Sequence, residues 1–178
     1  MADSHPYLGT DLSPEEYYRV EAAHYANPHA AGIAAILERM AHHLHGRVLD
    51  LGCGDGLVTK LLAGRGLIFV GADSAPAMVA RYEAETGFSG VVASFEDPMP
   101  PADCVVSSYA LHLATPAQLA MLWWRLAEAG AERILVITPF KEKPPEPEHY
   151  YHLIETVSGP FGPDGKTIHG RVYARGEA

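Results

Sequence analysis

Short apolar runs alternate with stretches of helical periodicity along most of this chain. "RVLDLG" reads as a strand and "DGLVTKLLAG" as a helix; "LIFVGAD" is again a strand and "APAMVARYEAET" a helix. "GVVAS" and "DCVVSSYAL" are two further strands separated by a proline-rich loop, after which "PAQLAMLWWRLAEAG" is helical and "RILVITP" is a fifth strand. Strands spaced by helices in this way build βαβ units around a parallel sheet. These strands lack polar alternation, as expected where helices cover both faces. Ahead of the series, "DLSPEEYYRVEAAHY" has Ser13 as an N-cap, Pro14 at the first helical position and acids in the first turn, and Asn27-Pro28 ends that helix. A second helix is predicted over His29–His45, with Ile33, Ile36, Leu37, Met40 and Leu44 at helical spacing. Beyond the fifth strand, the prolines of "FKEKPPEPEHYY" exclude a regular helix. "YHLIETVSGPFGPDGKTIHGRVYAR" predicts two strands joined by a Gly/Pro turn, an antiparallel hairpin on the sheet edge.

Composition narrows the function classes. A chain of 178 residues suffices for one domain with a sizeable core. The net charge of −9 and the lack of any Lys/Arg run argue against a nucleic-acid surface. No stretch nears the roughly 20 apolar residues of a membrane helix, and the N-terminus has no secretion-signal pattern, so the cytoplasm is expected. Cys53 and Cys104 lie in apolar surroundings without CxxC spacing, which predicts buried free thiols. His42, His43 and His45 end a helix with no cysteine or paired acid nearby in sequence. A solvated C-terminal turn is expected there, and no metal site is assigned.

The chemistry concentrates after the first strand. Gly52, Gly54 and Gly56 crowd one βα loop, flanked by Asp50 and Asp55. A tight turn needs one glycine; three let the backbone approach a ligand closely at the carboxyl end of the sheet. The dinucleotide pattern GxGxxG fails, because Leu57 stands where that pattern places glycine near a pyrophosphate. Two carboxylates would also repel a pyrophosphate and suit an amino or sulfonium cation. Asp73 ends the second strand about 20 residues on, where a carboxylate accepts both hydroxyls of a ribose.

These residues resemble a known family. "VLDLGCGDG" is similar to the first motif of class I S-adenosylmethionine-dependent methyltransferases, with Asp50, Gly52 and Gly54 matching. "VGADSAPAMV" resembles the second motif, with Asp73 as the ribose-binding acid and Met78 where an apolar residue lies along adenine. "DCVVSSYALHLA" resembles the fourth-strand segment of the ubiquinone/menaquinone-type ("type 11") and trans-aconitate-type branch. The likeness covers about Arg47 to Pro139. It implies a Rossmann-like, doubly wound, mostly parallel seven-stranded sheet in a three-layer α/β/α sandwich, with the hairpin as its last strands. It also implies S-adenosylmethionine as methyl donor and S-adenosylhomocysteine as product. Cys53, Ser74, Ser94, Phe95 and Ser107 join Asp50, Gly52, Gly54, Asp73 and Met78 as expected cofactor-binding residues. Ser94 stands where the family usually has an acid for the adenine amino group, so Glu96, Asp97 or the Phe95 N–H is left to substitute.

In-line methyl transfer asks the protein for alignment, desolvation and, with a protic acceptor, a base. His112, just past the fourth strand, is the first choice as base, with packing beside the cofactor as its alternative; Tyr25 is a second catalytic candidate. Residues 1–45 form an expected helical lid over a domain at 46–178. Tyr17, Tyr18, His24 and His29, together with Tyr109 and Phe140, are the expected substrate and lid residues. The tyrosines have a second reading as core anchors. Three functions stay open: a methyltransferase for a small organic acceptor (O-, N- or C-methylation), one acting on a protein or RNA with a partner completing the site, and a silent cofactor-binding subunit. A homodimer also stays open.

Overall fold

The computed structural model describes residues 11, 16, 17, 20, 27–139, 149–162 and 165–176. Helix α1 (Ala30–Met40) precedes strand β1 (Arg47–Leu51). Then follow α2 (Leu57–Leu62), β2 (Ile68–Asp73), α3 (Pro76–Thr86), β3 (Gly90–Val92), β4 (Cys104–Ser108), α4 (Pro116–Glu128) and β5 (Arg133–Thr138). The antiparallel pair β6 (Tyr151–Gly159) and β7 (Ile168–Arg175) closes the order.

The seven strands form one sheet in the order β3-β2-β1-β4-β5-β7-β6. β1 to β5 are parallel, and β7 inserts antiparallel between β5 and the edge strand β6. The order reverses between β1 and β4, so the crevice of this doubly wound sheet opens at the carboxyl ends of those two strands. A single row crosses the sheet there through Asp50, Val106, Leu135 and Val172.

Strand alternation divides the core into two layers. Leu49, Val105, Ile134 and Val136 face one side, where Leu122, Trp123 and Leu126 of α4 cover them. Val48, Val106, Leu135 and Val172 face the other, under Ile33, Ile36, Leu37 and Met40 of α1 and Val58 and Leu62 of α2. Helix starts follow the usual devices. Pro76 and Pro116 occupy first-turn positions, and Thr115 with Gln118 forms a reciprocal capping box on α4.

Three local expectations change. The helix expected over His29–His45 stops at Met40; a 3₁₀ turn, Ala41–His43, tightens its end and Leu44 is extended. The third strand is three residues long rather than five. α1 buries its apolar face against the sheet, so it belongs to the body of the domain and not to a lid. Most of the first 26 residues lie outside the described set, including Tyr18, His24 and Tyr25, as does Phe140.

Tyr82 on α3 is fully buried and lies across Gly71 of β2, where an added Cβ would sit 2.7–2.8 Å from the ring. Gly71→Ala should therefore cost about 1–3 kcal/mol through overpacking. Urea unfolding checks this, and an unshifted midpoint would mean that the ring yields freely.

Candidate functional site

The glycine loop hangs from β2. The N–H groups of Gly52 and Cys53 both donate to the Ala72 carbonyl, at 2.8 and 3.0 Å. Gly52, Gly54 and Gly56 all have positive φ (71°, 50° and 74°), conformations that a side chain strains. The three glycines are thus explained by the path of the backbone, which curls around the carboxyl end of β1.

Asp73 pins this curl. Its Oδ2 accepts from the Gly54 N–H at 3.1 Å and its Oδ1 from the Ala75 N–H at 3.0 Å. Burial pushes its carboxyl above the usual carboxylate range, opposed by those backbone donors. Asp50 is more deeply enclosed, and burial pushes it up to about 7, against hydrogen bonds from Thr59 and with Asp55 and Asp73 adding repulsion. Only its Oδ2 receives those bonds, from Thr59 Oγ1 at 2.8 Å and Thr59 N at 3.2 Å. Thr59 Oγ1 also meets the Tyr82 hydroxyl at 3.1 Å, so a buried polar chain runs from Asp50 to α3. Burial and the neighbouring Asp50 and Asp73 push the Cys53 thiol up, which keeps it neutral.

Between these groups lies a cavity of about 400 Å³, within the usual size range of small-molecule sites. Its floor is Asp50, Gly52, Cys53 and Gly54; Asp73, Ser74 and Met78 form the wall toward α3. Ser94 and Phe95 close the side beyond β3, and Tyr109 stands across from them beyond β4. Ten of the expected site residues are thereby brought together. Tyr17, His29, Ser107 and His112 are not in this wall. Ser107 is 1% exposed and points into the sheet layer opposite to Ser108, because successive strand residues face opposite ways. His112 sits half-buried on the 3₁₀ turn Leu111–Leu113, whose Leu113 does reach the cavity. His29 stacks on Tyr109, ring centroids 4.1 Å apart and planes 11° from parallel.

Sequence reasoning missed several wall residues. Ser108, Leu113 and Gln118 line the cavity, and so does Asn27. Ser108 was recoverable in principle: as the last residue of β4 it belongs to the strand end facing the crevice. The Ser108 Oγ is buried without a hydrogen-bond partner among the described residues. Glu96 and Asp97, weighed for the adenine amino group, are not among the residues lining the cavity, though each meets one that is. Asp97 accepts from both the N–H and the hydroxyl of Ser94 at 2.8 Å, bonds that hold its carboxyl below the usual range. Glu96 lies 3.4 Å from the Gln118 amide.

Tyr109 is the one described non-glycine residue with positive φ, at 56°. Such strain persists only where the surroundings over-determine it, and it recurs at ligand sites. Burial pushes its phenol up to about 12, so it remains a donor rather than a base.

The donor set suits a ligand with a cation at one end and an apolar ring at the other. Three carboxylates (Asp50, Asp55, Asp73) surround the glycine loop, while Met78 and Phe95 supply apolar wall. Residues 49–133 match the family model described as a methyltransferase domain. A comparison with curated protein sequences finds no match. Among solved structures, the chain resembles magnesium protoporphyrin IX methyltransferase (ChlM) from Synechocystis PCC 6803 with bound SAM, at TM-score 0.70 and 13% identity over 99% of both chains. It also resembles the N-methyltransferase NodS from Bradyrhizobium japonicum WM9, at TM-score 0.68 and 13% identity over 85% of this chain and 98% of that one. A third likeness is to a Haloferax volcanii structure, the complex between the Trm112 methyltransferase activator and the putative methyltransferase, at TM-score 0.69 and 18% identity (91% and 96% covered). By family match, residues 49–133 form a methyltransferase domain of the class I S-adenosylmethionine-dependent kind, and the sheet order is that of this fold. No helix among the described residues is long and apolar enough to cross a membrane.

Proposed function

We propose that this enzyme methylates a small organic acceptor, on oxygen, nitrogen or carbon, at the cavity mouth between Tyr109, Ser108 and Leu113. The observation that carries this reading is Tyr109, held in a strained backbone conformation in the lining of the cavity. The glycine loop and Asp73 would hold the cofactor, Asp50 and Asp55 would face its cationic end, and Met78 and Phe95 would flank its base. When bound, S-adenosylmethionine supplies an electrophilic methyl group on a sulfonium.

The chain's own residues then have three tasks. Tyr109 and the unpaired Ser108 hydroxyl offer hydrogen bonds that orient the acceptor. Leu113 and Phe95 exclude water from the reacting centre. The neutral Cys53 leaves the floor free of a competing nucleophile.

His112 enters only as a neighbour of this wall. A base must bring its nitrogen within about 2.6–3.2 Å of the atom whose proton it removes, and the 3₁₀ turn puts Leu113 rather than His112 in the cavity lining. Tyr109→Phe and Ser108→Ala should raise the acceptor KM with cofactor affinity unchanged, whereas His112→Gln should hold the rate within about tenfold of wild type. Steady-state kinetics against a panel of phenols, amines and carboxylic acids checks both. A loss of about 10²–10⁴ in His112→Gln, the usual worth of a positioned base, would return that residue to the catalytic role first considered.

The likeness to a methyltransferase solved with an activator protein supports a second reading, in which a partner completes the site. Turnover of a small acceptor by the isolated chain would exclude a required partner.

A further inference from the structure

Away from the cofactor cavity, the turn after α1 meets the edge strand β6. His43 Nε2 lies 2.5 Å from Glu155 Oε2, and His42 Nε2 lies 3.9 Å from the same oxygen. The two imidazole rings are 4.1 Å apart. All three donor atoms fall within 4.8 Å of one another. From this arrangement we infer that His42, His43 and Glu155 form a binding site for a divalent zinc-class cation, with water completing its coordination.

Two independent features support the site. The first is the donor chemistry. Two imidazoles with one carboxylate select zinc and its neighbours over the oxygen-seeking magnesium and calcium. A tetrahedral ion with bonds of about 2.0–2.2 Å sets its ligand atoms roughly 3.3 Å apart. The His43–Glu155 pair would therefore open by less than about 1 Å and the His42–Glu155 pair would close by about as much. His42 is 63% exposed at its side chain and free to make that move.

The second feature is a bulge in β6. Leu153 pairs with Tyr173 but Glu155 pairs with Val172, so Ile154 is an extra residue on this strand. Before the bulge, Tyr151 and Leu153 pack into the α4 layer with Trp123 and Tyr173. After it, Val157 packs into the α1 layer with Val172. Were β6 regular through Ile154, with no bulge, Glu155 would share the face of Leu153 and point away from both histidines. Bulges commonly re-aim a side chain in this way. The insertion costs an unpaired residue, Ile154, that is 42% exposed. An ion held here would staple the α1 turn to the edge strand across more than a hundred residues of chain.

The test uses the untagged full chain, stripped with chelator and titrated with Zn²⁺ by calorimetry. Glu155→Gln keeps the size and hydrogen bonding of the side chain but removes its charge. His42→Ala removes a donor that bears little on packing. Each should weaken Zn²⁺ binding by more than the roughly 10–100-fold that loss of a merely orienting partner costs. His152→Ala, an exposed histidine on the same strand, should leave affinity unchanged. Zn²⁺ should raise the Tm of the wild-type chain and not that of Glu155→Gln. Co²⁺ should give the intense visible bands of a four-coordinate ion in the wild type, a readout that needs no variant. Zn²⁺ affinity equal in wild type, Glu155→Gln and His42→Ala would overturn the inference, as would a wild-type chain that binds neither ion stoichiometrically.

Discussion

Asp50→Asn is expected to stabilise the cofactor-free protein while weakening its hold on S-adenosylmethionine. Burial raises the Asp50 carboxyl to about 7. The folded state therefore binds a proton more tightly than the unfolded chain, whose carboxyl titrates near 3.9. For a group shifted upward, stability declines as pH rises between those two values and stays reduced above them. At about 1.4 kcal/mol per unit, the ceiling on this penalty at pH 8 is about 4 kcal/mol. Asparagine removes it and keeps the geometry, because only Oδ2 of Asp50 is engaged, by Thr59, and an amide oxygen can accept the same two bonds. The Tm gain should therefore be largest at pH 8 and shrink toward pH 4. A ligand cation, conversely, favours the ionised carboxylate. Wild-type affinity should fall as pH drops below about 7, and Asp50→Asn should lose roughly 10–100-fold at pH 8, the worth of an interaction with a charged group. Thermal denaturation and calorimetry across pH 5–8 check both arms. A destabilised Asp50→Asn would mean that the carboxylate is needed for the fold itself.

Asp73 should behave in the opposite way. Both of its oxygens accept backbone N–H groups, from Gly54 and from Ala75. Asparagine would turn an NH₂ against one of those donors, so Asp73→Asn should be nearly as damaging as Asp73→Ala. Each should weaken cofactor binding by about 1.5–3 kcal/mol, roughly 10–150-fold, and neither should gain stability. Calorimetry on both variants decides the point. Full affinity in Asp73→Asn would show that Asp73 neither organises the glycine loop nor needs its charge for the ligand. The contrast between these two aspartates, 23 residues apart, follows from which oxygens are already occupied.

Much of this site could be read along the chain. The three glycines and Asp73 are local signals, since each is demanded by the backbone within a few residues of a strand end. The alternation of strands and helices and the Gly/Pro turn of the hairpin are equally local. What escaped the reading is set by contacts between distant segments. The Asp50–Thr59–Tyr82 chain couples β1, α2 and α3, and nothing in "LVTKLL" marks Thr59 as buried beneath a carboxylate. The histidines at the end of α1 were expected to be solvated because no acid lies near them in sequence; their acid comes from β6, where a bulge sets it on the α1 face. Ser107 and Ser108 differ only in strand parity, and composition cannot distinguish them. α1 carries the same apolar spacing whether it covers a sheet or a substrate, so its place in the body of the domain needed the sheet to be seen.

The central claim is that the cavity around the glycine loop is a site for S-adenosylmethionine. Isothermal titration of the purified chain with S-adenosylmethionine, S-adenosylhomocysteine and NAD tests it most directly. The account predicts one S-adenosylmethionine per chain, displaced by S-adenosylhomocysteine and lost in Asp73→Ala, with no binding of NAD. Tight NAD binding without S-adenosylmethionine binding would contradict it.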